Sequence, residues 1–337
     1  LSARERVVIF GGAGFIGSHL TEELLGHGWP VRVFDKSHGD WRNLAAVQGQ
    51  VERVEGDFVN RMDIRKALDG CRTVIHLVSA TLPSSSNENP AYDVEANVIA
   101  TLNLLEEARK GGVTRILFIS SGGTVYGPAE RLPIDEDHPT EPACSYGIAK
   151  LAIEKYLALY RRLHGLDSAV LRFSNPYGER QNPAAAQGAV AVFLGRVQRG
   201  EAIDLWGDGS AVRDYLYIRD GVRAFRQVLE NPQASGVFNV GCGRGTSLLE
   251  LIEAIRRVTG EAVRVNRLPG RPLDVPANVL DSTRLNHLTG WQAETDLEDG
   301  LARTWAWMTG TVPGAAPTAA PGAAAPARTA PPQGNTR

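Results

Sequence analysis

The chain has 337 residues, with 36 Lys and Arg against 38 Asp and Glu and a formal net charge of −2. This near balance, with basic residues scattered along the chain, leaves no electrostatic footprint for nucleic acid or an anionic membrane surface, so a small-molecule ligand is expected. No apolar stretch reaches the roughly 18 residues that a membrane helix needs, and Val7 to Phe10 is too short for a signal segment, so a soluble, cytoplasmic protein is expected.

Val7 to Phe10 reads as a strand that runs into Gly11-Gly12-Ala13-Gly14-Phe15-Ile16-Gly17 and then a helix from Phe15 to Leu25. A glycine-rich turn between strand and helix suits a dinucleotide. Gly11 permits the tight turn, and Gly14 lets a pyrophosphate approach the N–H groups at the positive helix end. The segment Gly11, Gly14, Phe15, Ile16 and Gly17 is therefore assigned to cofactor binding. A second strand, Val31 to Asp35, ends on a carboxylate about 20 residues further on, placed to accept hydrogen bonds from the adenosine ribose and to repel a 2′-phosphate. NAD is thus expected over NADP. After a third strand, Val51 to Gly56, Asp57 and Phe58 either hold the adenine edge or, through the Asp57 carboxylate, cap a helix from Arg61 to Leu68.

Strands at Thr73 to Val78, Arg115 to Ser120 and Ser168 to Phe173 alternate with helices at Ala91 to Lys110 and Tyr146 to His164. The alternation predicts an α/β fold, a Rossmann-type doubly wound parallel sheet. Within the last helix, Tyr146 and Lys150 share one face. Positive charge from the lysine and from an oxidised nicotinamide favours the phenolate, which equips the tyrosine for proton transfer. Beyond Phe173 the pattern turns irregular. The chain divides into a cofactor domain (1–174), a smaller C-terminal substrate-binding lobe interleaved with it (175–310), and an Ala/Pro-rich tail (311–337) expected to be disordered. Cys71, Cys144 and Cys242, odd in number and widely spaced, are expected as reduced thiols, with Cys144 a small filler and no metal site.

In order and spacing the chain resembles an extended short-chain dehydrogenase/reductase of the nucleotide-sugar epimerase/dehydratase family. The matching elements are Gly11 to Leu20, Asp35, Gly56-Asp57, His76-Leu77, Asn97, Ser120-Ser121, Val125-Tyr126-Gly127, Tyr146 to Lys150, Asn175-x-Tyr177-Gly178, Arg213-Asp214-Tyr215, Asn239-x-Gly241 and Asp274. The resemblance implies bound NAD, a lobe that grips a nucleoside diphosphate, and chemistry at C4 of a sugar through a 4-keto species. It makes Tyr146 the acid/base and Lys150 the group that orients the nicotinamide ribose and lowers the tyrosine pKa. Leu77 and Asn97 join the cofactor site, Asn97 supporting the cofactor or the helix that carries it. Asn175, Arg213, Arg271 and Asp274 become substrate contacts. Local alternatives are a turn at Asn175-Pro176 and ion pairing of Arg213 with Asp214 or Asp220.

Similar epimerases carry Ser or Thr three residues before the Val-Tyr-Gly, where this chain has Gly122, so Ser121 or Thr124 must supply the hydroxyl. The same segment lacks the Asp-Glu of similar dehydratases, which sets 4,6-dehydration aside. The expected activity is a nucleotide-sugar 4-epimerase, with a 4-ketoreductase of a nucleotide-linked 4-keto-6-deoxy sugar as the rival and a silent dinucleotide-binding protein set aside because it has no use for Tyr146 and Lys150. Val94, Val98, Leu102, Leu151 and Leu157 read as apolar residues left over on the two long helices, for a homodimer or for burial against the sheet.

Overall fold

The computed structural model describes residues 4–185, 187–270 and 275–311. The proposed tail, apart from Thr311, lies outside them.

Strand β1 (Val7–Phe10) is fully buried, and its residues alternate between two separate cores: Val7 and Ile9 enter one, Val8 and Phe10 the other. A strand apolar on both faces requires helices on both sides of the sheet. The chain supplies them in turn: α1 (Phe15–Gly26), β2 (Val31–Asp35), a short 3₁₀ segment (Trp41–Val47), β3 (Glu52–Glu55), α2 (Arg61–Leu68), β4 (Thr73–His76), α3 (Pro90–Asp93), a π-helical stretch (Val94–Ile99), α4 (Ala100–Lys110), β5 (Arg115–Ser121), α5 (Ser145–His164) and β6 (Asp167–Phe173). Leu20 and Leu24 of α1 fill the first core. Ile64 of α2, Leu104 of α4 and Ile153 of α5 fill the second.

The second half continues with β7 (Asn175–Tyr177), α6 (Ala189–Gln198), β8 (Ile203–Trp206), β9 (Val212–Tyr217), α7 (Ile218–Glu230), β10 (Gly236–Val240), β11 (Gly245–Ser247), α8 (Leu248–Thr259), β12 (Val265–Leu268), β13 (Ala277–Asn278), α9 (Thr283–Thr289) and α10 (Leu297–Thr309). Strand β10 returns to pair parallel with β6, which completes a seven-stranded parallel sheet in the order β10-β6-β5-β4-β1-β2-β3. The Rossmann-type, doubly wound reading is borne out. Strand order reverses between β1 and β4, and the crevice at the carboxyl ends of such neighbours is where open α/β sheets bind ligands. Beside this sheet, β9 forms a smaller one with β7, β11 and β13.

Two open readings are decided. Val98 and Leu157 take the burial alternative in the second core, with Leu102 packed against it, whereas Val94 is exposed, together with Tyr92, Ile99, Ile148, Tyr156 and Leu163. The π-helical stretch shifts the facing of residues that a uniform helical period assigns. The cap of α2 is Asn60, whose side chain accepts from the Met62 N–H, and not Asp57.

Beneath α5, Arg172 of β6 and Glu154 form an ion pair at 2.6 Å, with side chains 5% and 3% exposed. The Ser120 hydroxyl donates to the same carboxylate, and the guanidinium lies 4.7 Å from the centre of the Tyr126 ring. Leaving one member of such a pair buried alone costs more than replacing both by apolar groups. Arg172→Met is expected to lower stability by about 3–5 kcal/mol in urea denaturation, and adding Glu154→Leu to recover most of that loss.

Candidate active site

The cradle is made by backbone. Gly11 adopts φ +84°, and a Cβ there would sit 3.3 Å from the Val78 nitrogen. At Gly17 a Cβ would lie 2.2 Å from the Gly11 carbonyl oxygen, so helix and turn approach closely only because no side chain intervenes. Gly14 precedes α1, whose first turn has no side-chain cap and no acidic residue, so its N–H groups face an incoming anion without competition from the protein. Asp35, at the end of β2, accepts from the Ala13 N–H at 3.0 Å and the Lys36 N–H at 2.9 Å. Burial raises its carboxyl pKa, and those two N–H groups oppose the rise. An open turn, an uncapped helix end and a half-buried carboxylate at the sheet's switch point fit a dinucleotide.

Around this turn, Phe15, Ile16 and Leu77 are half-buried against the first core, and the Leu77 N–H donates to the Phe10 carbonyl. Asp57 is exposed and accepts from the Val59 N–H. Phe58 turns its ring inward, 5.8 Å from Phe10 and 4.9 Å from His76, so any contact it makes with a ligand falls to its main chain.

Helix α5 begins at Ser145 because loop side chains satisfy its first N–H groups: the Asn87 amide oxygen accepts from Ser145, and the Ser86 hydroxyl from Tyr146. One turn on, the Lys150 ammonium donates to the Ile119 carbonyl at 3.1 Å and lies 4.8 Å from the Phe118 ring centre and 5.5 Å from that of Tyr146. Burial pushes Lys150 down to about 8, with Glu154 and Asp93 resisting. Burial likewise pushes the Tyr146 phenol up to about 12; a hydrogen bond with Ser79 opposes this, and Cys144 and Asp93 add to it. Desolvation is the largest influence on the phenol. Asn97, in the π-helical stretch, accepts from the Ala80 N–H and donates to Asp93 and to the Thr81 hydroxyl.

Strand β5 brings Ser121 and Thr124 to the same edge. The Thr124 carbonyl packs against Gly147 of α5, where a Cβ would approach it to 2.7 Å, and the buried Thr124 hydroxyl has no hydrogen-bond partner among the described residues. The Ser121 hydroxyl, half-exposed, makes no hydrogen bond to the described residues. Gly122 is buried, and a Cβ on it would meet the Leu280 side chain at 2.5 Å. Leu280 therefore fills the space that a hydroxyl-bearing side chain would need.

From the smaller sheet, Asn175 donates to the Asp214 carbonyl at 3.1 Å. Arg213 donates to the Val212 carbonyl and has no ion pair among the described residues. Its proposed partners are engaged elsewhere: Asp214 accepts from the N–H groups of Cys242, Gly243 and Leu280, and Asp220 pairs with Arg223. Tyr215, two residues along β9, carries a buried hydroxyl without a hydrogen-bond partner among the described residues. Arg271 and Asp274 lie outside the described residues. Asp93 and Leu280 are the site neighbours that reading the sequence missed, and Tyr215 was matched there without a role; Asn89-Pro90, a cap followed by Pro at the first helical position, was the available signal for the start of α3.

Gly122→Ser is expected to destabilise by about 1–3 kcal/mol through overpacking against Leu280. Leu280→Ala in the same chain should recover part of that cost. Strictly additive costs across the four variants in urea denaturation would show that the two positions do not share this space.

The model of the family described as NAD dependent epimerase/dehydratase matches residues 7–241. A putative UDP-glucose 4-epimerase of Methanocaldococcus jannaschii is 35% identical over 90% of this chain and 98% of that protein. A dTDP-4-dehydro-6-deoxyglucose reductase of Escherichia coli is 33% identical over 88% of this chain and 95% of that protein. The crystal structure of a UDP-glucose 4-epimerase of Thermotoga maritima with UDP-glucose aligns with a TM-score of 0.86 at 36% identity, covering 91% of this chain and 99% of that one. The chain belongs to the NAD dependent epimerase/dehydratase family, as an epimerase- or reductase-type enzyme with NAD as its cofactor.

Proposed function

We propose that the enzyme is a nucleotide-sugar 4-epimerase acting on a UDP-hexose through a transient 4-keto sugar. The observation that carries this reading is the buried Tyr146–Lys150 couple on α5, set at the same sheet edge as an uncapped dinucleotide cradle. NAD, which Gly11, Gly14, Gly17 and Asp35 would hold, would supply reversible hydride acceptance at C4. Tyr146 removes the proton from O4 and later gives it back. Its phenol, held up to about 12 by burial, needs nearby positive charge to release that proton, and Lys150 supplies it from the same helix face. Asp35 holds the adenosine ribose, and Gly11, Gly14 and Gly17 leave room for the pyrophosphate. Asn175 and Arg213 hold the sugar diphosphate; the uncommitted guanidinium of Arg213 is suited to that role. Thr124, with its unpartnered hydroxyl beside α5, is favoured over Ser121 for the proton path between Tyr146 and the sugar. A homodimer fits the exposed apolar residues of α3 to α5, Tyr92, Ile99, Ile148 and Leu163 among them.

One observation favours a second reading. With Gly122 in place of the usual hydroxyl, reduction of an activated 4-keto sugar is less demanding than withdrawing a proton from an alcohol, and a reductase stands among the relatives.

Incubation of the purified protein with UDP-glucose and no added cofactor is expected to yield UDP-galactose, and Tyr146→Phe to reduce the rate by at least about 100-fold. Turnover confined to a 4-keto sugar with added reduced cofactor would support the reductase instead, and full activity in Tyr146→Phe would refute both. Lys150, lowered from 10.5 to about 8, is charged below that value and neutral above it. Turnover should therefore fall as pH rises through about 8, while Lys150→Arg, slower but charged throughout, should lack that fall.

A further inference from the structure

Three carboxylates near the site are buried. Glu154 is paired with Arg172, and Asp214 is satisfied by main-chain N–H groups. Asp93, fully buried at the end of α3, has neither kind of partner among the described residues. It is held by three side-chain donors from three other places in the chain: the Thr81 hydroxyl from the loop after β4, the Asn97 amide in the π-helical stretch at 2.8 Å, and the Ser145 hydroxyl in the first turn of α5 at 2.6 Å. Asn97 in turn accepts from the Ala80 N–H at 2.9 Å. The residue after Ser145 is Tyr146; Ser79, on the clamped loop, donates to the Thr81 carbonyl and lowers the proton affinity of the phenol.

We propose that Asp93 is a positioning residue for the Tyr146–Lys150 couple: its carboxylate clamps the first turn of α5 onto the Ser79–Thr81 loop and fixes a negative charge beside the phenol and the ammonium. The inference rests on the roles proposed above for Tyr146 and Lys150. A buried carboxylate is costly to hold, and three other segments converge to hold this one. Its charge acts on both members in one direction, strengthening the hold of Tyr146 and of Lys150 on their protons. The other groups facing the phenol are Ser79, Cys144 and Lys150; those facing the ammonium are Tyr146, Glu154 and His76. Asp93 thus helps keep the buried lysine charged, and it delays loss of the phenol proton.

The test uses the full chain loaded with NAD and labelled with 13Cζ-tyrosine, the Tyr146 resonance being assigned by its loss in Tyr146→Phe. No sugar is required, so failure to epimerise UDP-glucose leaves the result intact and is distinguishable from failure of this inference. Asp93→Asn keeps the shape and removes the charge, and the Tyr146 titration midpoint is expected to fall by roughly half a pH unit or more. Ser145→Ala keeps the charge and cuts the tie to α5, so it should give a smaller shift in the same direction; it decides the matter if Asp93→Asn does not fold. A purely packing role would lower the melting temperature and leave the midpoint within about 0.2 of a pH unit. That result would overturn the proposal.

Discussion

An ammonium group buried beside a phenol makes strict demands on its surroundings. Charge taken out of water needs hydrogen bonds, aromatic faces or counter-charges close by, or it is lost as a proton. Lys150 has one carbonyl acceptor, from Ile119, and two ring faces, those of Phe118 and Tyr146. These come from the end of β5 and from α5, so the couple exists only where strand and helix meet at the carboxyl edge of the parallel sheet. The same edge carries the glycine turn after β1. The glycine turn and the Tyr146–Lys150 pair are therefore consequences of one topology, in which strand order reverses between β1 and β4.

The smaller sheet is joined to this edge through a few buried contacts. Asp214 gathers the N–H groups of Cys242, Gly243 and Leu280, which draws the segment after β13 against the β5 turn. Leu280 then fills the space above Gly122, and Asn278 donates to the Gly122 carbonyl. Asp214 cannot at the same time serve as the partner of Arg213, its neighbour on β9. The arrangement leaves Arg213 without an ion pair among the described residues while locking the smaller sheet onto the turn after β5.

Features written locally in the chain were legible from sequence. The glycine turn, the carboxylate ending β2 and the Tyr146–Lys150 spacing depend on periods of a few residues, and the strands alternate between two cores as their apolar runs suggest. What escaped depends on contacts between distant segments. It stayed open whether Val98 and Leu157 met a second copy or the sheet, and packing between helices decides for the core, with a π-helical stretch shifting the period at Val98. Asn60 rather than Asp57 caps α2, a choice between neighbouring residues that only backbone geometry decides. Gly122 reads as a missing hydroxyl, whereas the structure shows a glycine required by Leu280. The phenol's high proton affinity follows from burial, which side-chain order does not report.

The central claim is that Tyr146 and the bound cofactor oxidise and then re-reduce one carbon within a single site. Incubating the enzyme with UDP-glucose deuterated at C4 tests it most directly. If hydride leaves and returns without exchange, the UDP-galactose formed will retain deuterium at C4. Product carrying solvent hydrogen at C4 would contradict the account, because it would mean that the carbon is inverted through a proton and not a hydride.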